Sequence, residues 1–301
     1  MATASASCFS ASRGRGGMMY AFSPAQHPAR WKRSGMAEIS FNHRLLILLG
    51  SFAVALAGLA LIDPIAQDPA YHVFADRRWF GGIPNFGDVA SNFGFAIVGI
   101  WGIWTVAGPG GKELFPDRRD SWPWLTFFAG VALVSVGSAW YHLNPDNGRL
   151  FWDRLPMTVG FMGFFAAFLN DRIDRPALTR WLFPALVAAG ILSLLYWDWT
   201  EAMGRGDLRF YGLVQFYPLV ALPLVLWLFP EGRRTSGNYL YWVIFWYALA
   251  KALEHFDYEI SALLGGAVSG HSLKHLAAAV AAIVVIRMIG RNGSRNDLIG
   301  G

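Results

Sequence analysis

Two histidines four residues apart, His271 and His275, open the last long apolar run of the chain in GHSLKHLAAA, together with Lys274. On a helix they share one face about a turn apart, and neutral imidazoles at that spacing supply two corners of a metal site. Interfacial histidines hydrogen-bonded to loops satisfy the same spacing. A second constellation lies in GSAWYHLNPDNGRLFWDRLPM, residues 137–157. Here Ser138 and His142 are again four apart, so hydroxyl and imidazole share a face, and Asp153 follows across a short loop. A serine in an apolar helix commonly bonds the carbonyl four residues back, and an aspartate ahead of a helix commonly caps it. Chemistry requires that these residues meet. Three histidines with one open position form the ligand set of a catalytic zinc, water taking the fourth corner.

The elements that must position them are apolar. Of 301 residues, 54% are hydrophobic and only 15% charged, against about 25% charged in a soluble domain. The mean hydropathy is +0.35. The apolar residues bunch into runs at about 45–62, 89–107, 122–142, 155–170, 181–199, 208–229, 239–256 and 271–289. Runs of this length predict eight helices of an all-α, polytopic integral membrane protein. The fourth is short, and the seventh holds Lys251, Glu254 and His255. Turn-forming clusters such as GPGG, FPDRRD, NPDNG and FPEGRR mark the joints.

The net charge of +5 comes from arginines in short loops, with no basic stripe, which argues against a nucleic-acid partner. Loop cations instead set orientation. With the N-terminus inside, 17 Lys and Arg fall on inner segments and 6 on outer ones, which places both termini in the cytoplasm. The lone Cys8 excludes an internal disulfide. Residues 1–43, rich in Ser, Ala, Gly and Arg, read as a disordered tail, within which Met36 is an alternative start to Met1. On this topology His142 ends the third span, while Asp153 and His271 begin the fourth and eighth, all toward the non-cytoplasmic side. Five polar residues then converge at one membrane depth, where ionisable groups face the bundle interior or a cavity and are functional by default.

Ser-x3-His, an Asp eleven residues after that His, and a C-terminal His-x3-His resemble the pattern of the alkaline ceramidases. The wider membrane-hydrolase superfamily that includes the adiponectin and progestin receptors shares it. The similarity runs from about Ile83 (IPNFGDVASNFGF) to Ile289. It implies a seven-transmembrane-helix ceramidase-like core over 83–290, preceded by an extra transmembrane helix and outer loop at 44–82 and followed by a tail at 291–301. It further implies that His142, His271 and His275 hold Zn2+, and that Asp153 hydrogen-bonds the metal-bound water, takes its proton and passes it to the leaving amine. Ser138 is implied to be a polar neighbour that holds the reacting carbonyl. The activity implied is hydrolysis of the amide bond of ceramide-like lipids to a sphingoid base and a fatty acid. A receptor-like protein with a structural zinc is the alternative. A transporter fits less well, since the polar residues gather near one surface and no paired broken helices are visible.

The family's acidic, calcium-binding stretch is not matched. The corresponding DRRWFGGIPNFGDVASN offers only Asp76, Asn85, Asp88 and Asn92, so calcium is not expected. Asn92 resembles the family's Ser-Asn at a helix start, with a role in helix packing. In AKALEHFDYE, Lys251 and Glu254 are three apart and are expected to pair, with Lys274 as a second partner for Glu254. Trp122, Trp124, Trp181, Tyr239, Tyr241 and Trp242 read as interface anchors.

Overall fold

The computed structural model describes residues 39–173 and 175–296. Most of the 1–43 stretch, with Cys8 and Met36, lies outside the described residues. The chain divides into Met1–Ser40 and Phe41–Gly301, and the second unit carries the helices. These are α1 (Phe41–Ala60), α2 (Phe86–Ser91), α3 (Phe93–Ala107), α4 (Gly111–Leu114), α5 (Trp122–Leu143), α6 (Asn147–Arg172), α7 (Pro176–Ala202), α8 (Arg209–Leu228), α9 (Gly237–His255), α10 (Asp257–Leu263) and α11 (Gly270–Asn296). Among the described residues there is no named strand, only an isolated bridge between Phe80 and Ile83.

A long helix stands at each of the eight apolar runs, and six of these segments are long and apolar enough to cross a membrane. The chain is therefore a multi-pass membrane protein. The two outside that set are α6 and α9. α6 carries Asp153, Arg154, Asp171 and Arg172, all buried, and it is bordered by α5, α7 and α8. A helix enclosed by protein needs no wholly apolar circumference. α9 carries Lys251 and Glu254, which pair with each other.

Four expectations change. α6 begins at Asn147, eight residues before the run expected at 155, because Asp146 caps it by accepting the Arg149 N–H at 2.7 Å. Pro156 sits within the helix, and the apolar run looks short because Asp153 and Arg154 stand just ahead of it. α11 continues to Asn296, into the stretch read as a tail, and α1 already starts at Phe41. Trp124 is no interface anchor: it is 1% exposed and packs its ring against Phe164 at 6.1 Å. Trp122, Trp181, Tyr241 and Trp242 are exposed.

Glycine sets how closely α5 and α6 approach. A Cβ on Gly130 would lie 2.7 Å from the Gly160 Cα, and one on Gly163 would lie 2.8 Å from the Phe127 amide nitrogen. Further along, a Cβ on Gly137 would stand 2.9 Å from the Trp152 carbonyl carbon and 3.4 Å from the Asp153 Cα. Small residues let helix backbones touch where no hydrophobic force pulls helices together in lipid. That contact, one residue before Ser138, brings Ser138 beside Asp153. α1 sits at the periphery with no buried residue and docks on α8 through Phe52–Tyr217 rings at 5.2 Å and Ser51 to the Tyr217 hydroxyl at 3.0 Å.

Candidate metal centre

His142 lies one residue from the end of α5, and His271 and His275 occupy the first two turns of α11. All three are buried, and one ring nitrogen from each lies within 4.8 Å of the others. His142 Nε2 and His271 Nε2 face each other at 3.1 Å. Two imidazoles on a tetrahedral metal at bond lengths of about 2.0–2.1 Å place their nitrogens about 3.3 Å apart. The observed spacing needs only a small outward shift to admit an ion.

The His275 ring is set in the orientation a metal requires. The Ser91 hydroxyl donates to the Asp88 carbonyl at 3.1 Å, and its oxygen lies 2.8 Å from His275 Nδ1. With its own hydrogen committed to the carbonyl, Ser91 accepts from Nδ1–H. The lone pair of His275 is thereby left on Nε2 for a metal. His142 Nδ1 is buried without a partner. Donor type, burial and spacing all fit a divalent cation.

The surroundings hold this arrangement in place. Asp257 joins the loop after α1 to the start of α11: its Oδ1 accepts the His271 N–H at 2.8 Å and its Oδ2 the Ala75 N–H at 2.9 Å. That loop carries Phe74, whose ring meets His142 at 4.7 Å and His271 at 4.4 Å edge-on. His72 ties it further to α5 and α6, through the Tyr141 hydroxyl and Asn147 Oδ1, both at 2.9 Å.

Asp153 lies well inside α6, so it is not the cap that its place before the apolar run suggested. Ser138 lies beside it, one residue after the Gly137 contact with Trp152 and Asp153, and both line the same cavity. Ser135, Thr158 and Ser193 bond the carbonyl three residues back, at 2.6, 2.9 and 2.7 Å. Ser138, Asp153 and His275 line one cavity of about 290 Å³. Its wall along α11 runs from Lys274 and His275 through Ala278 and Ala282 to Val285, about 15 Å of apolar surface. Glu254 closes the polar end. It takes Lys274 at 2.6 Å and Lys251 within the same helix, and accepts the Tyr71 hydroxyl at 3.2 Å.

The Asp76–Asp88 stretch has its own partners. Asp76 accepts Arg78 Nε at 2.6 Å and the Asp88 N–H at 3.0 Å. Burial works to raise its pKa, but the Arg78 bonds outweigh this and hold the carboxyl below its ordinary value. Asp88 Oδ1 accepts the Ser269 and Ser272 hydroxyls at 2.6 and 2.7 Å. Asn92 donates to the Asp88 carbonyl at 2.7 Å and closes the α2–α3 joint.

Sequence reasoning singled out Asn92 but passed over Ser91 beside it, gave no role to Phe74 or to Asp257 within AKALEHFDYE, and counted Arg154 among the loop cations, whereas it is buried in α6. Only the Ser-Asn pair held a usable signal. Ser91→Ala should weaken metal binding about 10–100-fold, the range for removing a partner of a ligating imidazole. Competition with a metallochromic chelator checks this, and unchanged affinity would show that Ser91 does not position His275.

Comparison with protein-family models finds no match, and comparison with curated proteins finds no significantly similar sequence. The geometry of the site therefore carries the functional reading.

Proposed function

We propose that the protein is a zinc-dependent membrane hydrolase that cleaves the amide bond of a ceramide-like N-acyl lipid, releasing a fatty acid and an amine. One observation carries the reading. Three buried imidazoles able to hold a metal adjoin, through His275, an apolar cavity that Asp153 and Ser138 also line. Purely structural zinc sites are usually closed by a fourth protein ligand, whereas a catalytic site keeps a position open. Among the described residues, the cluster comprises His142, His271 and His275.

His142, His271 and His275 hold the metal. When bound, it supplies Lewis acidity, polarising a carbonyl and lowering the pKa of water from about 16 toward 7. The α11 wall of the cavity takes the acyl chain and excludes water from it. Asp153 accepts a proton from the attacking water and delivers it to the amide nitrogen as the C–N bond breaks. The water oxygen ends in the fatty-acid carboxylate. Ser138, beside Asp153, turns its hydroxyl toward the substrate and holds the reacting carbonyl. In the same reading all eight long helices cross the bilayer, α1 being an addition to a seven-helix core. Both termini are then cytoplasmic and the metal lies toward the opposite face.

Purified protein should contain about one zinc per chain and release fatty acid from an N-acyl sphingoid lipid, with chelator abolishing release and added zinc restoring it. A metal-loaded protein inert toward lipid amides and esters alike would instead make the metal a pin between α5 and α11.

A further inference from the structure

Arg154 follows Asp153 on α6, turned about 100° from it around the helix. It is 6% exposed, and its Nη1 is buried without a hydrogen-bond partner. A buried guanidinium nitrogen left unpaired is costly unless something binds there. Three rings fix the group: its Cζ lies 5.3 Å from the Tyr71 centroid, 4.9 Å from Trp197 and 4.8 Å from Tyr211. Tyr71 donates its hydroxyl to Glu254, so the guanidinium is enclosed by the three rings while Nη1 stays unpaired.

That group stands at a junction. Arg154, Tyr71, Tyr211 and Gln215 line both the cavity beside the histidines and a second one of about 900 Å³ between α1, the loop after it and α8. The charge there is unbalanced. Lys251, Lys274 and Arg154 line the first cavity against Glu254 and Asp153, three cations to two carboxylates. Both lysines are bound to Glu254, and no ion pair joins Arg154 to Asp153 among the described residues. A low-dielectric site with an excess positive charge and an unpaired planar donor is built for an anion.

We propose that Arg154 binds a carboxylate on the head of the lipid, so that the protein takes anionic N-acyl lipids whose amide nitrogen carries a carboxylate-bearing group. The acyl chain lies along α11, the amide lies beside Asp153, and the head turns toward the second cavity, which has room for whatever that head carries. The cleaved bond is that of the hydrolase reading, on which the placement of the amide rests. Recognition of the head is a property of Arg154 alone. A neutral head, such as that of a ceramide, is still cleaved but leaves the excess charge uncompensated and binds about tenfold to a hundredfold more weakly.

The test compares N-oleoylglycine with N-oleoylethanolamine, which differ only in carboxylate against hydroxymethyl. Binding to the metal-replete, detergent-solubilised full chain is measured before turnover, with affinities expressed as mole fraction in the micelle. The expected result is a preference of about tenfold to a hundredfold for N-oleoylglycine, the range of a hydrogen bond to a charged group. Arg154→Gln should abolish it while shifting the ethanolamide by less than about threefold. Equal binding of the two ligands by the native protein overturns the proposal and needs no variant. So does a preference that survives Arg154→Gln, or one that chelator removes, since the carboxylate would then sit on the metal. Oleate against oleyl alcohol is the last arm: an Arg154-dependent preference of equal size there would assign the site to the product acid instead of the head. An Arg154-dependent preference in a protein that hydrolyses no amide would sink the hydrolase reading alone. Hydrolysis of both amides with no preference would sink only this one.

Discussion

On the hydrolase reading, His142→Ala is expected to leave the purified protein without bound metal and to lower lipid-amide hydrolysis about a thousandfold or more. The magnitude follows from what the residue holds. A bound metal contributes several kcal/mol to stabilising charge in the transition state, and each 1.36 kcal/mol is a factor of ten. The direction follows from place: His142 is the single ligand contributed by α5, and the other two stand a turn apart on α11. Two imidazoles on one helix form an incomplete site. The substitution also opens space beside Phe74 and His271 in a buried location. Thermal unfolding of the metal-free native protein is thus the proper comparison. Elemental analysis with a parallel turnover assay reads both effects. Hydrolysis retained at native rate in metal-free His142→Ala would remove the metal from the reaction.

Asp153→Asn separates binding from catalysis. The amide has nearly the shape of the carboxylate, so packing and metal content should stay near native. What disappears is the ability to take a proton from water and pass it to the leaving nitrogen. General acid–base catalysis contributes about 10²–10⁴-fold, and turnover should fall by that factor with zinc content unchanged. Loss of metal along with turnover would instead make Asp153 part of the metal-holding framework. A decrease of less than about tenfold would take it out of the proton path. Against Ser91→Ala the contrast is sharp: one change loses rate and keeps metal, the other loosens metal first.

The two sides of the helix inventory show what local sequence could and could not decide. α3, α5 and α11 were legible because long apolar runs leave a chain no other way to satisfy its backbone in lipid. α6 was foreshortened because its first two turns carry Asp153 and Arg154. Asp153 stands beside Ser138, and Tyr71, Trp197 and Tyr211 from other parts of the chain enclose Arg154, whose Nη1 stays unpaired. Trp124 and Trp122 are two residues apart near a helix start, yet one is buried against Phe164 and the other exposed. Which face meets protein was not written in their neighbourhood.

The all-helical membrane class, the two histidine-bearing motifs and the helix ends at which they lie are legible in the sequence alone. These are consequences of run length and of a 3.6-residue period, and both act within one segment. Tertiary packing is what makes α5 and α11 meet, brings Ser91 to His275 Nδ1 across 184 positions, and ties His271 through Asp257 to the loop bearing Phe74. It also decided that Arg154 keeps an unpaired nitrogen where two cavities join. Periodicity tells which residues share a face of one helix. Which faces touch depends on close backbone approach at residues such as Gly130, Gly137 and Gly163, and that is a property of the pair of helices together.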